Sequence, residues 1–196
     1  MRSLFVSLFM FGMGISAFGG YDYTISGGYS DDIILKNSQT LLMTGGGVYE
    51  ITAKDFSVIE INNTAPFAIA TGGIANLIMG DNSKLVFSGG DVYRLNIGGF
   101  ATAALSGGQI NKIYSYQSTT IPNYMQHIEI ICKDYSFNST TNKLTGTWAD
   151  NTTFNVQLIN QTGYSPVIDN IKFTIIPEPA TLLLLGLGGV LLRRRQ

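Results

Sequence analysis

Residues 83–116 read SKLVFSGGDVYRLNIGGFATAALSGGQINKIYSY, a stretch that contains nearly the same phrase twice. Two triplets, Ser88-Gly89-Gly90 and Ser106-Gly107-Gly108, divide it. Related triplets stand further out at Ser26-Gly27-Gly28, Gly45-Gly46-Gly47 and Thr71-Gly72-Gly73. After four of them comes an apolar pair three residues apart: Val48 and Ile51, Ile74 and Leu77, Val92 and Leu95, Ile110 and Ile113. Before four of them comes an alternating pair: Leu41 and Met43, Ile59 and Ile61, Leu85 and Phe87, Ala103 and Leu105. Gly72 to Gly89 and Gly89 to Gly107 are intervals of seventeen and eighteen residues.

A helical hairpin does not fit so short a period, and glycine at this density costs about 1 kcal/mol per site in a helix. Short strands with tight glycine corners do fit. Equivalent residues would stack about 4.8 Å apart, Leu41, Ile59, Leu85 and Ala103 in one inward ladder, Met43, Ile61, Phe87 and Leu105 in another. No single coil buries its apolar face, but a stack does. The expectation is an all-β chain in which residues 20–116 form a short parallel β-solenoid of roughly five coils. The same strands arranged as an antiparallel sandwich are the competing architecture. An excess around Asn62–Ala70, which contains Pro66, reads as a loop or short extra strand that preserves the register. The Ser-Gly-Gly-rich repeat is similar to stretches of bacterial surface and autotransporter-like proteins.

From Gln117 the glycine beat stops. HIEIICKDY (127–135), KLTGTW (143–148), TTFNVQLI (152–159) and VIDNIKFTI (167–175) read as four strands of a small antiparallel β module spanning 117–174. Asp150-Asn151 suits a tight hairpin between the middle two. Such a module would cap the end of the stack, whose open edge otherwise invites aggregation. The segment LTGTWAD (144–150) looks like one that recurs ahead of the kind of tail described next.

Both ends of the chain differ from this body. Residues 1–19 begin with Met1 and Arg2, continue through an apolar run Leu4–Met13 and end in small residues. That is the layout of a cleavable secretory signal peptide, a short N-terminal helix. The far end reads IIPEPATLLLLGLGGVLLRRRQ (175–196). Ala180–Leu192 as a hydrophobic helix would span roughly 20 Å, short for a bilayer core of about 30 Å but sufficient if arginine stems snorkel. Arg193, Arg194 and Arg195 form a membrane stop signal that stays cytoplasmic. Pro177 and Pro179 keep the backbone ahead of the helix extended. Pro177-Glu178-Pro179, Ala180-Thr181, the glycine-bearing leucine run and the closing arginines resemble the PEP-CTERM sorting signal. The resemblance implies a Gram-negative-type bacterium, Sec export, recognition of Pro177, Glu178 and Pro179 by a membrane exosortase, and transient inner-membrane anchoring. Delivery to the cell surface or the extracellular space would follow.

Without Arg2 and the three terminal arginines, twelve basic residues fall to eight against thirteen acidic ones, which disfavours a nucleic-acid partner. Cys132 is the only cysteine, so no internal disulfide is possible, and it reads as a small buried residue. His127 is the only histidine, which removes the multi-histidine zinc sites. No nucleophile elbow, HExxH or phosphate loop is present. By the repeat spacing Asp55, Asp81 and Asp91 fall at different places in their coils, so neither a repeated calcium site nor a carboxylate pair for sugar cleavage is expected from them. Asn62, Asn138, Asn151 and Asn160 open N-x-Ser/Thr triplets that read as turn and strand-edge composition. Seven tyrosines (21, 23, 29, 49, 93, 114 and 116) fall outside the inward ladders, where flat faces could meet sugar.

The sequence therefore carries no catalytic, cofactor or metal site. It points to a non-catalytic structural or adhesive surface or matrix protein that meets exopolysaccharide or other copies of itself. A secreted polysaccharide-binding or polysaccharide-cleaving β-helix protein is the alternative.

Overall fold

The computed structural model describes residues 20–118 and 127–177, His127 by its backbone alone. The signal helix of 1–19 and the hydrophobic helix of the tail, with Glu178, Pro179 and the three arginines, lie outside the described residues. Alternating apolar residues fix the strands. Two long ones open the fold, β1 (Tyr23–Leu35) and β2 (Thr40–Ala53). Six shorter ones follow: β3 (Val58–Ile61), β4 (Gly73–Met79), β5 (Lys84–Phe87), β6 (Asp91–Ile97), β7 (Thr102–Leu105) and β8 (Gln109–Ser115). The last four are β9 (His127–Asn138), β10 (Lys143–Trp148), β11 (Thr153–Ile159) and β12 (Ile171–Ile175).

The inward ladders have the expected register. Leu41 pairs with Ile59, Ile59 with Leu85 and Leu85 with Ala103, all in parallel strands. Met43, Ile61, Phe87 and Leu105 form the second ladder, and both ladders continue into β9 at Ile128 and Ile130. After the corners, Val48, Ile74, Val92 and Ile110 align, as do Ile51, Leu77, Leu95 and Ile113. All of these side chains are buried. Full burial of each large aliphatic contributes about 1.5–3 kcal/mol.

The architecture is nevertheless a closed ten-strand β-barrel and not the β-solenoid expected from the repeat. The sheet runs β2-β3-β5-β7-β9-β10-β11-β8-β6-β4, and β4 returns to β2. Two features close it. Strand β2 is long enough to pair with β3 through Thr40–Met43 and with β4 through Gly47–Ala53. At the other end, β10 lies antiparallel between β9 and β11, and β11 runs parallel to β8. The closing strands β10 and β11 carry no glycine repeat, so periodicity could not reveal them. β1 lies outside the ring on β2, and β12 lies outside it on β9.

The strands expected after the repeat are likewise corrected in detail. Only β10 runs antiparallel to its neighbours, β9 and β11, whereas β9, β11 and β12 make parallel pairs with β7, β8 and β9 respectively. VIDNIKFTI is a 3-10 turn over Val167–Asn170 followed by β12, not one strand. The excess around Asn62–Ala70 forms a loop with a single bridge, Ala68 to Gly72, and leaves the β3–β5 register intact. The Asp150-Asn151 turn is a tight hairpin with Asn151 at φ 71°.

The segment LTGTWAD is the closing device. Leu144 and Trp148 point into the core. Gly146 is required because a Cβ there would lie 2.3 Å from the Asp134 carbonyl and 2.5 Å from the Phe154 ring. The Trp148 ring packs on Phe154 at 4.2 Å, and its Nε1 donates to the Gly108 carbonyl at 2.8 Å. Asp150 Oδ1 then accepts from the Thr152 amide and hydroxyl, holding the turn.

Candidate functional site: the sorting segment and its platform

The described chain reaches the first residue of Pro177-Glu178-Pro179, so the geometry that presents the motif is visible. β12 adds in parallel to β9, with Ile171 opposite Ile128 and Ile175 opposite Cys132. One more ladder bond follows, from the Ile176 amide to the Cys132 carbonyl at 2.9 Å. Pro177 has no amide hydrogen, so pairing stops where the motif starts. Ile175 and Ile176 are 47% and 38% exposed, and Pro177 is exposed. The motif therefore leaves a sheet edge directly, with no intervening linker.

Side chains fasten this last strand. The Thr174 hydroxyl donates to Glu129 Oε1 at 2.5 Å, and Lys172 Nζ lies 3.2 Å from the same oxygen. The Thr174 hydrogen bond, and secondarily Lys172, hold the Glu129 carboxyl below its ordinary value against the opposing effect of burial. Phe173 stacks on Tyr135 with centroids 3.7 Å apart. Upstream, Asn160 Oδ1 accepts the Val167 amide at 2.9 Å, and buried Asn170 donates to Ser115 Oγ at 2.8 Å. Cys132 is buried beneath the strand, and burial, with the nearby Asp134 charge, pushes its thiol pKa up. A thiol in that state is a poor nucleophile.

The structure also corrects the reading of the aspartates. Asp55 and Asp81 occupy equivalent left-handed corners, at φ 56° and 50°. Asn37 begins the same column, its amide donating to Asp55 Oδ2 at 2.8 Å, and the Asp55 amide donates to Asp81 Oδ2 at 3.2 Å. Sequence reasoning missed this phase because the loop after Asn62 lengthens one interval. Asp91 lies elsewhere, at the start of β6, where one oxygen accepts the Phe67 amide at 3.1 Å. Among the described residues no group of three or more His, Cys, Asp or Glu side chains is placed to hold a metal ion.

The seven tyrosines outside the inward ladders are all at least partly exposed. Tyr93 stacks flat on Phe67 at 5.0 Å, with Lys112 Nζ 5.0 Å and the Arg94 guanidinium 5.4 Å from its ring. Of the asparagines of the N-x-Ser/Thr triplets, Asn138 Oδ1 accepts the Thr140 and Thr141 amides and Asn160 Oδ1 the Val167 amide, whereas Asn62 donates to Glu60 and accepts from Ser88, and Asn151 accepts from Lys133.

The sheet thus delivers its final strand straight into the exposed Pro177, where the C-terminal segment begins. Residues 176–196 match the PEP-CTERM protein-sorting motif, so the chain is a PEP-CTERM domain-containing protein. The motif marks it as an exported protein, transiently anchored at the membrane and processed there by exosortase. No curated protein and no solved structure matches the chain. Among the described residues no helix is long and apolar enough to cross a membrane; the segment expected to do so, Ala180–Leu192, lies outside them.

Proposed function

We propose that the barrel is a non-catalytic structural or adhesive body, carried to the cell surface or extracellular matrix by its sorting segment. The observation that carries this reading is the direct passage from β12 into Pro177. A body held to β9 by five paired residues up to the motif stays intact when everything beyond the motif is removed. The use of carboxylates supports the same reading. Asp55 and Asp81 accept backbone amides at the corners, and Glu129 fastens β12, so these acids serve the fold. Exopolysaccharide is the proposed contact of the exposed tyrosines, whose flat faces suit sugar rings. Pro177, Glu178 and Pro179 are proposed as the exosortase recognition residues, and Arg193, Arg194 and Arg195 as the cytoplasmic stop.

The test is fractionation and intact mass of a variant carrying Pro177→Ala, Glu178→Ala and Pro179→Ala beside the parent. The parent is expected outside the cell without its leucine-arginine tail, and the variant is expected in the membrane fraction at full mass. Equal location and equal mass would overturn the sorting assignment. Incubating the secreted body with matrix glycans tests the non-catalytic role: new reducing ends would overturn it.

A further inference from the structure

The two strands outside the ring, β1 and β12, are finished differently. At the C-terminal end, β10 and β11 close the ring and β12 covers part of β9. At the other end β1 pairs only with β2, and nothing among the described residues pairs with its second edge. An unpaired strand of thirteen residues is a template for another strand.

Two independent features suit this edge to a further strand. The first is its corner. A Cβ on Gly45 would lie 2.6 Å from the Ser26 carbonyl, one on Gly107 2.1 Å from the Ser88 carbonyl, and one on Gly108 2.6 Å from the Gly90 carbonyl. Each of these glycines admits the backbone of the preceding corner. Gly27 and Gly28 complete the same triplet, yet a Cβ on either would meet nothing within 4 Å. The clearance is present and its occupant is missing. The second feature is apolar. Ile25 and Ile33 are the register partners of Met43 and Ile51, which are fully buried. Ile25 and Ile33 pack on the core yet stay half-buried, and among the described residues no strand pairs with the outer edge of β1.

We infer that β1 is the interface of a homodimer, in which the β1 strands of two copies pair antiparallel about a two-fold axis near Tyr29. A second copy fits because its β1 has the same length, the same bend and the same uncovered isoleucines. The chain's other strand outside the ring, β12, has five residues, lacks a glycine corner and leads into the sorting segment. With the axis near Tyr29, Asp31 and Asp32 face Gly27 and Ser26 of the second copy, so the acidic pairs do not confront each other. Two-fold pairing also uses up both edges, so the assembly closes at two copies. The inference stands apart from the adhesive role and from sorting.

The experiment is sedimentation of the full chain in mild detergent over a concentration series, for the parent and Gly27→Val. Gly27 has no positive φ and no neighbour, so valine leaves the fold of one copy undisturbed, which an unchanged far-UV circular dichroism spectrum verifies. It fills the space an incoming backbone needs, and dimerisation is expected to weaken at least about tenfold. Oxidative cross-linking adds geometry: Tyr29→Cys, on the axis and facing its own copy, should give a disulfide dimer, whereas Lys172→Cys on β12 should not. A monomeric parent, association unaffected by Gly27→Val, or cross-linking through Lys172→Cys in place of Tyr29→Cys would each overturn the inference.

Discussion

The indole of Trp148 donates from Nε1 to the carbonyl of Gly108 at 2.8 Å, joining the segment after the repeat to the last glycine corner within it. Both partners matter to the closure. Gly108 sits at φ 71° with the Gly90 carbonyl against its Cα, and Trp148 ends the strand that links β9 to β11.

Trp148→Phe keeps an aromatic ring against Phe154 but removes the donor. The part-buried Gly108 carbonyl then loses a partner, which costs about 0.5–1.5 kcal/mol. Urea unfolding of Trp148→Phe, followed by circular dichroism, should show the lower midpoint. An unchanged midpoint would mean that the bond does not hold the barrel closed.

Gly146→Ala should be more damaging than its size suggests. The new methyl would meet the Asp134 carbonyl and the Phe154 ring at once, on a strand paired on both sides. Crowding of this kind in a packed core costs about 1–3 kcal/mol. Gly27→Ala meets nothing, so one copy should keep its stability within about 0.5 kcal/mol. Thermal melts of the two variants at low protein concentration separate the positions.

Acid should loosen the last strand before the rest of the barrel. The Glu129 pKa is depressed in the folded protein, so its contribution is fully present above the ordinary glutamate value. It is lost as pH falls through the folded value. Amide exchange of Ile171–Ile175 should therefore speed up on acidification ahead of β4 and β6, and Glu129→Gln should remove the pH dependence. Exchange in β12 that shows no pH response beyond the intrinsic rate would refute this.

Tyr93 should ionise earlier than Tyr116. The Lys112 ammonium, hydrogen-bonded to the Tyr93 hydroxyl at 3.3 Å, and then Arg94, favour the phenolate, so its pKa is lowered. Burial raises that of Tyr116, with the neighbouring Tyr114 and Tyr164 adding to it. Tyrosine-ring NMR titration should give that order, and Lys112→Gln should move Tyr93 upward. A Tyr93 curve unmoved by Lys112→Gln would contradict the assignment.

Much of the local order was legible in the residues. The pairs Leu41–Ile59–Leu85 and Val92–Ile110 follow from a period set by glycine corners, because a two-residue alternation leaves one choice of inward face. Less legible was the aspartate column, since the loop carrying Pro66 shifts one interval and hides the equivalence of Asp55 and Asp81. The sorting motif was readable without any structure, because its order of residues alone identifies it.

By itself the sequence determined that the chain is all-β, which residues face inward, where strands turn, and that its end is a sorting signal. Each of these depends on neighbours within a few residues. Only the tertiary structure decided that the sheet closes, because closure rests on contacts between segments far apart in the chain. Trp148 reaching Gly108, and Leu158 pairing with Ile113, are examples that no local pattern announces. The same holds for β1: its glycines look like every other corner in the sequence, and only the folded barrel reveals that no described residue stands against them.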